Sequence, residues 1–480
     1  MQYSKSLASS RASLNSTAAP VMHQAAVADL ALTTDAVRLH WDSNGEQWQA
    51  EFACINKTYT MMPYNQSSIK RVVPVNKDNQ TNNPANLLDP EYYTNTGGSF
   101  LATNPQLGAK YLQKGINILP EEAIIYFNLG IALHEQKKID AAIRNYKHAL
   151  TLPNAPLAPI RQNLSQDLLL SGNFEEGWEH YENRFKPGQN DYFHKLGGKP
   201  WAGELIDGKP STLILVAEQG FGDTIQFIRF ALLLQDKGWK VKLFCQPALI
   251  GMLKICSSIK NISSQIEEHD FTPGAMWCPL MSLVHRLKIN SFNIPFAAGY
   301  LKAPKEKIEY WQKKLKKRED HLLIGLHWQG NYEHENTLYS RNRSIPYHHW
   351  EKLSALDNIE FISLQKGSAM KDRIKQSRLK YIDGQDLFDE SMDFLDTAAV
   401  IAQCDLIISA DSGIVHLAAA MGKPTWLALR WIPEWRWLLD GNSSHWYETI
   451  RLFRQPKPGA WPEVVNEIYN SLAAWKNARC

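Results

Sequence analysis

No stretch of the 480 residues stays apolar for the length of a membrane span, so a spanning helix is not expected. The six cysteines, Cys54, Cys245, Cys256, Cys278, Cys404 and Cys480, show no paired metal-binding spacing, and several sit in apolar runs. Reduced core thiols in a cytoplasmic protein are therefore expected, not a disulfide or zinc framework. An excess of one charge sign is also missing: 52 Lys and Arg against 49 Asp and Glu leave +3. That balance gives no case for a nucleic-acid or polyanion binder. No apolar segment follows Lys5 and Arg11, so a secretory leader is not expected. A G-x-S-x-G turn is absent, and Ser412 and His416 share one short stretch, which excludes a serine-hydrolase elbow.

What is present divides the chain into regions, and its length predicts two to four domains. Residues 1–98 open Ser-, Ala- and Thr-rich and close Asn-, Asp-, Pro- and Gly-rich. Partial disorder is expected there, with one β-hairpin over 32–52 around Ser43-Asn44-Gly45. From about residue 99 to 186 the pattern turns helical. Tyr111, Tyr146 and Tyr181 recur at spacings of 35, close to the period of about 34 of tetratricopeptide repeats. Leu129, Gly130, Ala132 and Leu133 would lie on a first helix, with Ala142, Tyr146 and Ala149 on a second. Such pairs bury their faces only by stacking, and they serve either as partner-binding arrays or as spacers.

A Gly- and Pro-rich connector (186–207) precedes strand–helix alternation, which predicts doubly wound parallel sheets. The strand 213–217 runs into Glu218-Gln219-Gly220-Phe221-Gly222-Asp223. Gly220 and Gly222 suit a tight turn and close backbone approach to a ligand. Asp223 reads either as a structural N-cap or as a carboxylate at the mouth of the sheet. After a hinge near 294–305 a second alternating unit begins. Its strand ends and loops carry Asn331, Arg343, Gln365 and Lys366, and cations there could neutralise a diphosphate. Strand 405–409, the turn Ala410-Asp411-Ser412-Gly413 and a helix over 414–421 complete it. A capped helix start aims free N–H groups at one point and suits phosphate without lysine. His416 is expected to project toward that point, unless it is an ordinary core histidine.

These motifs carry a resemblance. The run DTAAVIAQCDLIISADSGIVHLAAAMGKP resembles the nucleotide-sugar site of heptosyltransferase-type enzymes, glycosyltransferase family 9, and AEQGFGDTIQF resembles their amino-terminal Gly-x-Gly-Asp turn. RSIP, SLQKG and the tryptophan-rich tail match bacterial proteins in which tetratricopeptide repeats precede such a domain; residues 1–98 fall outside the match.

The resemblance implies a short helical array followed by a GT-B-like pair of Rossmann-type domains, divided as 99–186, 204–295 and 300–480. It implies a hexosyl- or heptosyl-transferase moving sugar from a nucleoside-diphosphate donor, with no cofactor. Asp223 would be the acceptor-activating base. Arg343, Gln365, Lys366, Asp411, Ser412, Gly413 and His416 would hold the donor, with Gly220 and Gly222 on the acceptor side. Such enzymes generally carry Lys where Arg343 stands. The helix from Trp461 would cross back to the first domain, and the repeats would recruit a protein or peptide. No DxD motif occurs in the chain, in keeping with metal independence. Trp426, Trp431, Trp435, Trp437 and Trp446 would either face a sugar or pack as a lid. The competing reading is a non-catalytic scaffold that binds a nucleotide sugar; an epimerase would need more carboxylates in the cleft.

Overall fold

The computed structural model describes the backbone at 37–41 and 48–52, and residues 90–185, 199–204, 211–267, 270–330, 335, 341–367 and 374–479. Asn331, the Ser43-Asn44-Gly45 turn and most of the connector lie outside these. In the amino-terminal segment β1 (Val37–Trp41) pairs antiparallel with β2 (Trp48–Phe52), setting Val37 opposite Phe52. This is the hairpin expected from the alternation.

Among the described residues six helices follow: α1 (Pro90–Ser99), α2 (Pro105–Ile118), α3 (Ala123–Glu135), α4 (Ile139–Ala149), α5 (Leu157–Leu170) and α6 (Phe174–Tyr181). Consecutive helices pack on one another. The small residues of the pattern set how closely. Gly130 has no side chain because a Cβ there would lie 2.3 Å from the Tyr146 ring, and Tyr146 is fully buried. Tyr181 is buried like Tyr146, but Tyr111 is not; it stacks on Phe100 at 5.9 Å.

Two α/β lobes come next, each built on a parallel five-stranded sheet. The first sheet contains β3 (Lys199–Pro200), β4 (Thr212–Val216), β5 (Lys240–Phe244), β6 (Ile262–Ser263) and β7 (Met276–Pro279) in the order β3-β7-β4-β5-β6. The second contains β8 (Leu322–His327), β9 (Ile359–Ser363), β10 (Leu406–Ala410), β11 (Thr425–Leu429) and β12 (Ile450–Arg454) in the order β12-β11-β10-β8-β9. Central strands such as β10 and β11 are buried at every residue, as parallel strands covered on both faces must be. Helices α7 (Phe221–Asp236), α8 (Pro247–Cys256), α9 (Lys305–Lys314), α10 (Phe394–Gln403), α11 (Gly413–Ala420) and α12 (Trp461–Asn477) supply that cover. These two Rossmann-like lobes are consistent with the GT-B-like architecture expected. Cys245, Cys256, Cys278 and Cys404 are free and buried. Among the described residues no helix is long and apolar enough to cross a membrane.

A 3₁₀ turn, Tyr347–Ala355 with Pro346 as its cap, carries Trp350 and Leu353. Two expectations need correction. Helix α7 begins at Phe221, so Asp223 is its third residue and Gly220 its N-cap. Helix α12 does not cross back to the first lobe. Val464, Val465, Ile468 and Leu472 bury against Trp350, Leu353 and Ile408 of the second, because its apolar stripe matches the sheet face that the 3₁₀ turn leaves open.

The lobes meet where α7 and α11 pack start to start. A Cβ on Gly222 would lie 2.9 Å from His416 Cδ2 and 3.4 Å from Gly413 Cα, whereas one on Gly413 would find nothing nearer than 3.5 Å. Gly222→Ala should therefore lower stability by about 1–3 kcal/mol through overpacking, while Gly413→Ala stays near neutral. The urea-unfolding midpoints of the two variants, compared with wild type, check this.

Candidate functional site

Between the lobes lies an open cleft of about 620 Å³, and all ten sequence-selected residues line it: Gly220, Gly222, Asp223, Arg343, Gln365, Lys366, Asp411, Ser412, Gly413 and His416. The elements explain the convergence. Strands β4, β8, β9 and β10 are parallel within their sheets and end at the cleft, so the loops after them gather there.

The start of α11 is built for exposed amides. Ser412 holds an extended backbone, and its Oγ accepts the Ile414 N–H at 3.3 Å. The helix carries no acidic residue in its first turn, so its positive end is not neutralised from within. Arg343 lies close by: a Cβ on Gly330 would be 3.9 Å from both Arg343 Nη2 and the Asp411 carbonyl oxygen. Gln365 is used in shaping the loops, its Oε1 accepting the Gln329 N–H at 3.0 Å.

Other selected residues are placed less simply. Lys366 points its ammonium at the Phe388 carbonyl and sits over the Phe388 ring, 3.2 Å from the centroid. Burial pulls its pKa down to about 8. His416 is turned into the protein: Nδ1 is 3.1 Å from Tyr447 Oη, and the ring stacks on Trp437 at 5.6 Å. Burial, with Arg436 and Arg229 adding repulsion, holds it far below the usual imidazole range. It is a neutral wedge beneath Gly222.

Asp223 is engaged on both oxygens. Oδ2 accepts the Gly220 N–H at 2.9 Å, and Oδ1 pairs with Arg436 Nη2. Arg436 also pairs with Glu434 and donates through Nε to Gln226 Oε1. One guanidinium thus bridges a carboxylate of the first lobe and one of the second, in the manner its planar fork favours. Glu434 and Arg436 both line the cleft. Neither was among the residues selected from the sequence. Their signal was two opposite charges two residues apart inside an otherwise apolar segment. Those tryptophans do not face a sugar: Trp426, Trp435, Trp437 and Trp446 are all buried, and Trp431 lies under Lys137, whose ammonium is 4.4 Å from a ring centroid.

His327 was missed altogether. It ends β8, lines the cleft, and places Nδ1 3.1 Å from Ser412 Oγ. Its only signal was a lone polar residue closing the apolar run of a strand. Among the described residues no group of three His, Cys, Asp or Glu could hold a metal ion.

The helical array reaches this site. Tyr181 accepts a hydrogen bond from Gln219 at 2.8 Å, and Arg184 pairs with Glu218 at 2.6 Å, both next to the Gly220 turn. Trp178 donates to the Ile289 carbonyl at 3.1 Å and meets Trp435 edge-on at 5.0 Å. Glu135 pairs with Arg341.

Burial pushes Glu434 up to about 7, against the opposing pull of Arg436. A carboxyl raised on folding holds its proton longer in the native state, so its contribution is full below about 4.5 and is lost as pH rises through about 7. Glu434→Gln should therefore gain stability relative to wild type across that window and hold a constant lead above it. Thermal midpoints of both proteins at pH 4.5, 6 and 8 check the sign.

Comparison with known proteins bears on the same region. Residues 389–428 match the family model described as glycosyltransferase family 9 (heptosyltransferase). Protein FlbA of Caulobacter vibrioides is 24% identical over 389 residues, which are 75% of this chain and 63% of that protein. This chain thus spans less than two thirds of that relative. A glycosyl transferase family 9 structure from Veillonella parvula aligns over 56% of this chain and 99% of its own, at 11% identity and a TM-score of 0.40. The E. coli heptosyltransferase WaaC with ADP aligns over 56% and 100%, at 12% identity and 0.34. The matched residues 389–428 run from before α10 through β10 and α11 into β11, so the second lobe is heptosyltransferase-like at the cleft, and the enzyme class it points to is glycosyltransferase.

Proposed function

We propose that the chain transfers a sugar from a nucleoside-diphosphate donor to an acceptor bound in the cleft between its lobes. The observation that carries this is the start of α11. Within the stretch that matches the family, a helix with no acidic residue in its first turn, capped by Ser412, opens into a cleft that also gathers Arg343. As the bond from the sugar to the phosphate breaks, its electron pair leaves with the diphosphate. The free amides of α11 and the Arg343 guanidinium stabilise that growing charge. Gly413 leaves the approach clear. Lys366, held at the Phe388 carbonyl, acts from the wall of the cleft by its charge. His416 supports the helix start from beneath.

Asp223 stands across the cleft and takes the acceptor's proton as the new bond forms. For this the acceptor hydroxyl or amine must reach Oδ1 in place of, or alongside, Arg436. The helix pairs α1 to α6, read as tetratricopeptide repeats, present a protein or peptide acceptor or partner, and the protein works in the cytoplasm. The division at 1–98, 99–186, 204–295 and 300–480 belongs to the same reading.

One observation favours a second reading. Both Asp223 oxygens already have partners, which suits a scaffold that binds a nucleotide sugar without turning it over.

Asp223→Asn separates the two readings. Transfer of labelled sugar should fall by about 10²-fold or more, with nucleotide affinity unchanged. Equal loss of both would make Asp223 structural. Wild-type binding with neither transfer nor hydrolysis across UDP-, GDP-, ADP- and CMP-sugars would leave the scaffold.

A further inference from the structure

Two histidines lie near the start of α11, and the structure treats them oppositely. His416 spends its Nδ1 on Tyr447 and its ring on Trp437. His327, 7% exposed, makes one hydrogen bond, through Nδ1 to Ser412. Its Nε2 has no hydrogen-bond partner among the described residues, although the residue lines the cleft.

The partners of Ser412 leave its hydroxyl hydrogen for one of two neighbours, His327 Nδ1 and Ser409 Oγ. Ser412 Oγ accepts the Ile414 N–H, so its own hydroxyl hydrogen is free to be donated. The nearest acceptor is His327 Nδ1 at 3.1 Å; Ser409 Oγ is farther, at 3.5 Å. A nitrogen that accepts at Nδ1 in a neutral ring carries its hydrogen at Nε2. The ring is neutral because burial alone pulls it down to about 3. Among the charged groups that line the same cleft, Arg343, Lys366 and Arg436 would repel an imidazolium, while Asp411, Asp223 and Glu434 would attract one; none of them outweighs the burial.

We infer that His327 is a fixed neutral donor, giving its Nε2–H to the diphosphate of the nucleotide bound at the start of α11. This rests on the reading of the cleft above and adds to it a residue that touches the leaving group. Ser412 then has two tasks: it caps the helix that meets the anion, and it sets the tautomer of the histidine beside it. A neutral donor suits the position. It can strengthen its bond as negative charge builds on the phosphate, and it carries no charge whose burial would have to be offset in the empty site.

The test uses the whole chain and free nucleotides. Wild type is titrated calorimetrically with ADP, GDP, UDP and CDP, and with the monophosphate of whichever base binds. His327→Ala should weaken the diphosphate by about 10- to 100-fold and leave the monophosphate nearly unchanged. His327→Gln, which keeps a donor at the same reach, should recover most of that loss. Imidazole ¹⁵N spectra of wild type should show a neutral ring protonated at Nε2 from pH 6 to 8. Equal diphosphate binding by wild type and His327→Ala would overturn the inference and leave the proposed function standing. So would equal losses in the Ala and Gln variants, or a ring protonated at Nδ1. Failure of every diphosphate to bind wild type would overturn both.

Discussion

The packing of α7 against α11, start to start across the lobe boundary, is the constraint on which the cleft depends. Gly222 and Gly413 let two backbones approach where any side chain on Gly222 would strike His416. Because both helices begin at this contact, both of their positive ends face the same space. Neutralising groups must therefore be placed around them, and Asp223, Glu434 and Asp411 all lie there. Arg229 reinforces the join from within α7. Fully buried, it donates to the Trp446 carbonyl at 2.7 Å and lies 4.4 Å from the centre of the Tyr447 ring. Tyr447 in turn holds His416. Cleft geometry and lobe packing are thus one network of side chains.

Much of this was legible in the residues, and what was not has physical reasons. Strand and helix order followed from apolar runs bounded by turn residues, which depend only on local sequence. The cleft lining was also accessible, because loops after parallel strands collect at one edge whatever their composition. Side-chain direction was not. The i to i+4 spacing of Ser412 and His416 puts both on one side of α11, yet Tyr447, 31 residues on, draws the imidazole inward. Lys366 looked like a cation for phosphate until Phe388, 22 residues later, supplied a carbonyl and a ring. Partners that distant in sequence leave no periodic trace. The α12 placement failed for a related reason. Its apolar stripe shows that it packs, and only the exposed sheet face shows where.

The electrostatic arrangement also differs from a simple cationic pocket. Arg436 is held between two carboxylates and Lys366 is tied to the wall, so the helix amides and neutral polar groups border the open space. Such a site responds to charge that appears during a reaction more than to charge already present, since its dipoles are fixed in advance. It also bears on recognition. Cations bound by neighbouring anions attract a free polyanion weakly, in keeping with the near-zero net charge of the chain.

The contacts of Trp178 have a mechanical consequence. Its indole is tied to the Ile289 carbonyl in one lobe and wedged against Trp435 in the other, while Glu135 and Lys137 grip the second lobe from a different helix turn. An appendage anchored at so many separated points has no swivel. The outer faces of these helices are therefore held on one bearing and at one distance from the cleft.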